Sequence, residues 1–385
     1  MKKVFTAFVF MLAVMTAFAQ DLGQFTFDGF VRTGFLWKKS EEIGKDPATE
    51  VRLQSLDDAG NGHGRIRMNF GYINGSAGLK GRIQWDDWTN EFKSPQWPYL
   101  FGYINSFENQ FTLSVGKLGA SPWGTGGPEM WKELENLSSG GGGVRFEFKP
   151  NLVPGLNVGF ILNWYDGSMD RGIGRDVTLL DILEETVLGF SYEHDLFLVR
   201  FEYRLDSDID QRPGSFASGN EGTDFIYRVE ERALKKLLPG LQVWAIGSLE
   251  GIGADDVQCV RAVNWLFTQY APDWGTAQIR LGYNVVATRS ILHFKPSYYH
   301  KFHILSSAIE AGASFYIAND FGDDRINMNA PYTEMEFEPK IQINFANAYV
   351  AFTYNFRQIY KQPQPKVDPP IERFQTMNLR FGMTF

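Results

Sequence analysis

The sequence predicts an all-β fold, a transmembrane antiparallel β-barrel, on three observations. The chain closes on a ribbon that is apolar on one side only, segments with the same alternation recur along its length, and the connections between them alternate between short and long. The closing ribbon is Met377-Asn378-Leu379-Arg380-Phe381-Gly382-Met383-Thr384-Phe385, with an apolar side chain at every odd position. Side chains alternate faces along a strand with period two. In the last strand of a membrane barrel the apolar side meets lipid and the polar side meets the lumen.

At the other end, Lys2 and Lys3 precede an apolar stretch from Val4 to Val14, and Ala17-Phe18-Ala19 offers small residues where a signal peptidase reads. Residues 1–19 are therefore expected to be a secretory signal peptide and 20–385 a single barrel domain. The leader's apolar run falls short of the ~20 residues that a helical span needs, and no later stretch approaches that length. Losing Lys2 and Lys3 lowers the formal charge of −8 by two. An acidic chain is a poor polyanion binder, which argues against nucleic acid. Cys259 is the single cysteine, so no internal disulfide forms, and it reads as an inert wall residue.

Backbone groups in hydrocarbon must be paired within the protein, so a barrel sequence should show many segments of about ten residues with turn signals between them. In the first segment Phe25, Phe27, Val31, Phe35 and Trp37 share one parity, while Thr26, Asp28 and Arg32 share the other. Residues 65–73 set Arg65, Arg67 and Asn69 against Ile66, Met68, Phe70 and Tyr72. After the turn Asn74-Gly75-Ser76, Leu79, Ile83 and Trp85 oppose Lys80, Arg82 and Gln84. Further segments near 97–105, 109–118, 143–149, 157–165, 186–194, 196–205, 223–232, 241–250, 259–269, 276–287, 291–303, 308–318, 332–345, 348–357 and 374–385 bring the count to eighteen. Sixteen is the alternative, because 97–118 and 291–303 are weakly patterned. An even count returns both ends to the periplasmic side.

Short connections near 74–76, 105–108, 150–156, 194–195, 234–240, 270–275, 304–307 and 346–347 alternate with mostly longer ones near 38–62, 86–96, 119–142, 166–185, 206–222, 319–331 and 358–373. Short periplasmic turns opposite long external loops are the barrel asymmetry. A soluble sandwich would also alternate, but it buries its apolar faces in a shared core and has no need of the terminal phenylalanine.

Arg or Lys facing lipid at mid-bilayer costs ~2–4 kcal/mol, so charges must point inward. That places Arg32, Arg65, Arg67, Lys80 and Arg82 in the lumen on the first three strands, with Arg380 on the strand that closes against the first. Other strands add Arg145, Glu147, Arg200, Glu202, Arg204, Arg228, Glu230, His293 and Lys295, of which those at 145–149 and 200–204 are read as local pairs, and the sixteenth contributes Glu334, Glu336 and Glu338. Opposite signs on separated walls would set a transverse field across a wet bore. Arg261 and Lys117 share parity with apolar neighbours and are expected to snorkel at strand ends.

The C-terminal ribbon, through Phe381, Met383 and the terminal Phe385, resembles the last strand that outer-membrane porins present to their insertion machinery. The loop 119–142 follows the fifth segment, carries Pro128-Glu129-Met130-Trp131-Lys132-Glu133-Leu134-Glu135, and ends in glycines 140–143. Its position and make-up are similar to the third loop of general porins. The resemblance implies that this loop folds inward, that Glu129, Glu133 and Glu135 face the arginines across a constriction, and that the chain forms a homotrimer. Eighteen strands match substrate-specific porins better than the sixteen of general porins. Phe30, Leu36 and Trp244 are inward apolar residues too scattered to form a stacking track for sugars.

Enzyme motifs are absent. There is no His-Glu-x-x-His, no Gly-x-Ser-x-Gly, and glycines 140–143 lead into valine rather than Lys-Ser or Lys-Thr. His300 and His303 lack a nearby acidic partner, and Asp206, Asp208 and Asp210 lack the glycine and glutamate of a calcium loop, so no metal or cofactor is expected. The first segment starts within about five residues of the expected cleavage site, so no plug domain is expected. The expectation is an outer-membrane protein of a diderm bacterium, in contact with lipid, that passes small hydrophilic solutes or ions and catalyses no reaction. A surface adhesin or structural barrel with a plugged lumen is the alternative.

Overall fold

No water is available to strands in hydrocarbon, so each must find hydrogen-bond partners along both edges. In the computed structural model every strand of the wall does so. The structure describes residues 23–42, 45–53, 65–86, 96–119, 121–124, 141–165, 186–204, 223–252, 261–286, 289–304, 307–321, 332–361 and 371–385. The expected leader 1–19, the loop acids Glu129, Glu133 and Glu135, Cys259 and Asp206, Asp208 and Asp210 lie outside the described residues.

The chain runs through β1 (Gln24–Glu41), β2 (Ala48–Leu53), β3 (Arg65–Asn74), β4 (Ala77–Asp86), β5 (Gln96–Ser106) and β6 (Phe111–Leu118). There follow β7 (Gly141–Phe148), β8 (Leu156–Tyr165), β9 (Val187–Glu193), β10 (Phe197–Arg204), β11 (Thr223–Glu231), a short helix α1 (Ala233–Leu237) and β12 (Leu241–Ile252). The last seven are β13 (Arg261–Tyr270), β14 (Gly275–Val286), β15 (Arg289–Ile304), β16 (Ser307–Asp320), β17 (Tyr332–Asn344), β18 (Ala348–Lys361) and β19 (Ile371–Thr384). Consecutive wall strands pair antiparallel from β3 to β19, and β1 closes the cylinder against β3 on one side and β19 on the other. Omitting β2, the wall has eighteen strands, one for each predicted segment.

The two weakly patterned regions are ordinary wall strands whose alternation is blurred by aromatic residues on the inward face. On β5, Tyr99, Phe101 and Tyr103 lie on the same face as Arg82, Lys80 and Gly78 of β4. On β15, adjacent Tyr298 and Tyr299 put an aromatic ring on each face. Strand β2 is new relative to the sequence reading, which left 38–62 as loop. Its six residues pair with Phe35–Ser40 of β1 where β3 has ended, and they place Glu50 opposite Lys38. Such a short element pairs on too few residues to stand out from its surroundings. The helix α1, read as a turn, carries Leu234, whose backbone N–H donates to Glu231.

The parities separate as lipid and water demand. Leu100, Ile104, Leu113, Val115, Leu188, Val229, Leu249, Leu266, Ile279, Phe352 and Phe381 are exposed on the outward face. Ser114, Glu202, Asp224, Asn284, Thr353 and Asn378 are buried on the inward one. No helix among the described residues is long and apolar enough to cross a membrane.

Candidate functional site: the lumenal wall

Inward positions of β1, β3, β4 and β5 meet in rungs fixed by register. Arg32 stands opposite Arg65, Phe30 opposite Arg67, and Asp28 opposite Asn69; across the next seam Arg67 faces Gln84, Asn69 faces Arg82, and Arg82 faces Tyr99. Like charges opposite one another in an antiparallel pair repel at Cβ separations of about 5 Å, so Arg32 beside Arg65 concentrates positive potential on the seam. Arg67 Nε donates to Gln84 at 2.8 Å, Arg82 Nε donates to Asn69 at 2.7 Å, and Asn69 donates in turn to Asp28 at 2.5 Å. Aromatic faces lie beside four of the cations. Arg32 and Arg67 lie 5.6 and 5.2 Å from the Phe30 ring centroid, Lys80 lies 5.4 Å from Tyr103, and Arg82 lies 4.9 Å from Tyr99. Arg380 on β19 joins the group opposite Gly34 of β1 and donates to Thr353 at 3.1 Å. All six predicted cations thus occupy one contiguous face.

The acidic strand is arranged differently. Glu334 takes an ion pair from Arg357 at 2.7 Å, Glu336 lies 3.9 Å from Lys295, and Glu338 accepts from Asn355 at 3.3 Å. Lys340, on the same strand, binds Glu310 at 3.0 Å. The mixed strands pair in the same local way, with Arg145–Glu147 at 3.1 Å and Arg228–Glu230 at 3.0 Å.

Sequence reasoning missed an aromatic row across β12 to β16. Trp244 and Phe267 stack with centroids 5.1 Å apart and planes within 2°. Trp265 then stacks on His293 at 4.9 Å and His293 on Tyr316 at 6.0 Å. Trp265 reaches His293 by lying across Gly282, where a Cβ would come within 2.8 Å of the indole. Trp244, Trp265 and Phe267 join Ile226, Ile246 and Val263 in a buried apolar cluster on the inward face, and beside it His293 contacts Asn284 at 3.0 Å and Tyr316 at 2.8 Å. The row hid because both parities of β13 are largely apolar. Val263, Trp265 and Phe267 are the inward set, so the backbone register gives position 261 the lumenal parity rather than the outward one. Lys117 does share the outward parity, at the end of β6, and is exposed. Of the two histidines singled out, His300 faces outward among Trp274, Tyr298 and Phe302, whereas His303 holds the opposite parity.

One residue of the connection after β6 lies against the wall. Trp123 is completely buried among Phe101, Leu118, Ile161 and Val187, all on inward positions, and its indole Nε1 donates to the Asn157 carbonyl at 3.2 Å.

No protein-family profile matches the chain, and no curated protein matches it. Among solved structures it is similar to OpdQ of Pseudomonas aeruginosa, with a TM-score of 0.54 and 9% identity over 94% of this chain and 99% of that one. It is also similar to the outer membrane channel DcaP of Acinetobacter baumannii, with a TM-score of 0.48 and 9% identity over 95% and 99%. OmpT, an outer membrane protein of Vibrio cholerae, gives a TM-score of 0.45 and 14% identity over 95% and 98%. The protein has the closed eighteen-strand antiparallel fold of the outer-membrane barrels, the class that includes porins and channels. At such identities the likeness is one of fold.

Proposed function

We propose that this protein is an outer-membrane porin, a passive diffusion channel for small hydrophilic solutes or ions, with a preference for anions. The observation that carries the reading is the distribution of lumenal charge. Arg32, Arg65, Arg67, Lys80, Arg82 and Arg380 form one predominantly basic face, which also holds Asp28 and has Asp86 at the register position opposite Arg65, while on β17 Glu334 and Glu336 meet Arg357 of β18 and Lys295 of β15. A field set by unequal walls raises the local concentration of anions and orients dipolar solutes. The acids expected in loop 119–142, Glu129, Glu133 and Glu135, would complete a constriction by facing this strip. The same reading takes residues 1–19 as the leader, the outer membrane of a diderm bacterium as the location, Phe385 as the insertion signal, and a homotrimer as the assembly. No bond is made or broken.

The test is reversal potential in planar bilayers under a KCl gradient. The parent barrel should be anion-selective, and the triple substitution Arg32→Gln, Arg67→Gln, Arg82→Gln should bring the permeability ratio close to unity. Unchanged selectivity in the triple variant would remove the basic strip from the mechanism. The second reading, a plugged barrel serving as an adhesin or structural element, draws support from the buried apolar cluster on β11 to β13. It predicts no ohmic conductance at any salt or voltage.

A further inference from the structure

We propose that Trp123 is a pin that fixes the connection after β6 inside the barrel, and that Gly159 and Gly189 form the seat that receives it. The inference rests on the channel reading for its effect on conduction, but the pin itself stands on geometry. Gly159 and Gly189 are register partners on β8 and β9, so two neighbouring inward positions of the wall carry no side chain. The indole fills that bare patch. A Cβ on Gly189 would lie 1.9 Å from Trp123 Cδ2 and 2.0 Å from Cε3, and one on Gly159 would lie 2.8 Å from Cζ2. Neither glycine has the positive φ that would require it on conformational grounds. Glycine weakens a strand interior and commonly marks a place where another group approaches the backbone closely. At Gly189 the approaching group is Trp123, whereas at Gly159 the Phe146 carbonyl oxygen, 1.9 Å from such a Cβ, comes closer than the indole, so Gly189 is the position that the ring itself requires.

The surroundings lock the ring in both direction and depth. Its Nε1 donates to the Asn157 carbonyl, and Asn157 is itself held through its side-chain amide by Glu147 at 3.1 Å. The backbone N–H of Trp123 donates to Ser121 Oγ at 3.1 Å, which tightens the turn that delivers the indole. Leu118, Ile161, Val187 and Phe101 close around the ring, and Gly119 abuts Tyr99. Tyr99 and Phe101 are the rings that carry Arg82 and Arg145, so the pinned segment borders the basic strip. Trp123 is thereby a positioning residue: it sets how much of the bore beside that strip is occupied by residues 121–124.

Two substitutions on separate segments should act alike. Trp123→Ala removes the pin, while Gly189→Val fills the seat with a residue that strands favour. Both are made in the full chain, with Pro122→Cys as reporter in a Cys259→Ser background, and folding is checked by heat-modifiable gel mobility. The expected result is at least tenfold faster labelling of position 122 by a membrane-impermeant maleimide, together with unitary conductance raised by half or more. Trp123→Phe, which keeps a ring and loses the Asn157 bond, should fall between. Folded variants with parental labelling and conductance would overturn the pin and leave the channel reading intact. Accelerated labelling in a barrel whose parent never conducts would uphold the pin and overturn the channel.

Discussion

The terminal Phe385 is stitched to Gly29 of the first strand by a pair of backbone hydrogen bonds, Gly29 N–H to the Phe385 carbonyl at 3.0 Å and Phe385 N–H to the Gly29 carbonyl at 3.1 Å. The ring lies over Gly29, where a Cβ would come within 2.8 Å of it, and stacks on Phe27 at 5.8 Å. The last residue of the chain therefore seals the seam between β1 and β19.

Gly29→Ala should loosen this seal. The new methyl would also lie 2.3 Å from the Arg67 carbonyl, so backbone must move, at a cost of about 1–3 kcal/mol. A lower midpoint in the heat-modifiability transition checks it, and the same variant should insert more slowly into lipid vesicles.

Selectivity arising from the basic strip should weaken with salt. The screening length shrinks from about 10 Å at 0.1 M to about 3 Å at 1 M, so the chloride-to-potassium permeability ratio should fall towards unity over that range. A ratio independent of ionic strength would point to bore size in place of charge.

Removing Arg357 should cost more than removing both members of its pair. Glu334 keeps only 4% of its side-chain surface while Arg357 keeps 35%. Arg357→Gln leaves a buried carboxylate without its cation, which costs about 3 kcal/mol, the lower end of the range for such pairs. Unfolding in urea should show the Arg357→Gln, Glu334→Gln double variant to be more stable than the Arg357→Gln single variant.

The turn between β5 and β6 carries three consecutive left-handed residues, Phe107, Glu108 and Asn109, with φ of 50°, 56° and 67°. Left-handed backbone costs a residue with a Cβ about 1–2 kcal/mol, and glycine adopts it freely. Glu108→Gly should stabilise the barrel by about 0.5–1 kcal/mol after the entropy of the unfolded glycine is set against that relief. The urea midpoint is the measurement, and selectivity should be unchanged.

Alternation is a local property, and for that reason the wall was legible in the sequence. The eighteen segments, the inward parity of Arg32, Arg67, Arg82 and Arg380, and the outward ribbon ending at Phe385 all follow from period two and the cost of charge in lipid. The site was legible only in part. Where both parities are apolar, as on β13, alternation has no preferred face, and Trp265 and Phe267 could not be assigned. Aromatic residues on the inward face of β5 blurred its pattern for a related reason.

What the tertiary structure alone decided is which inward groups meet. Trp244 on Phe267, Arg357 on Glu334 and Trp123 over Gly189 are contacts between strands or segments, fixed by register and by how each side chain lies across its neighbour's backbone. A strand's own sequence sets the face a side chain takes, whereas its partner on that face depends on a closed cylinder that brings distant segments to the same height.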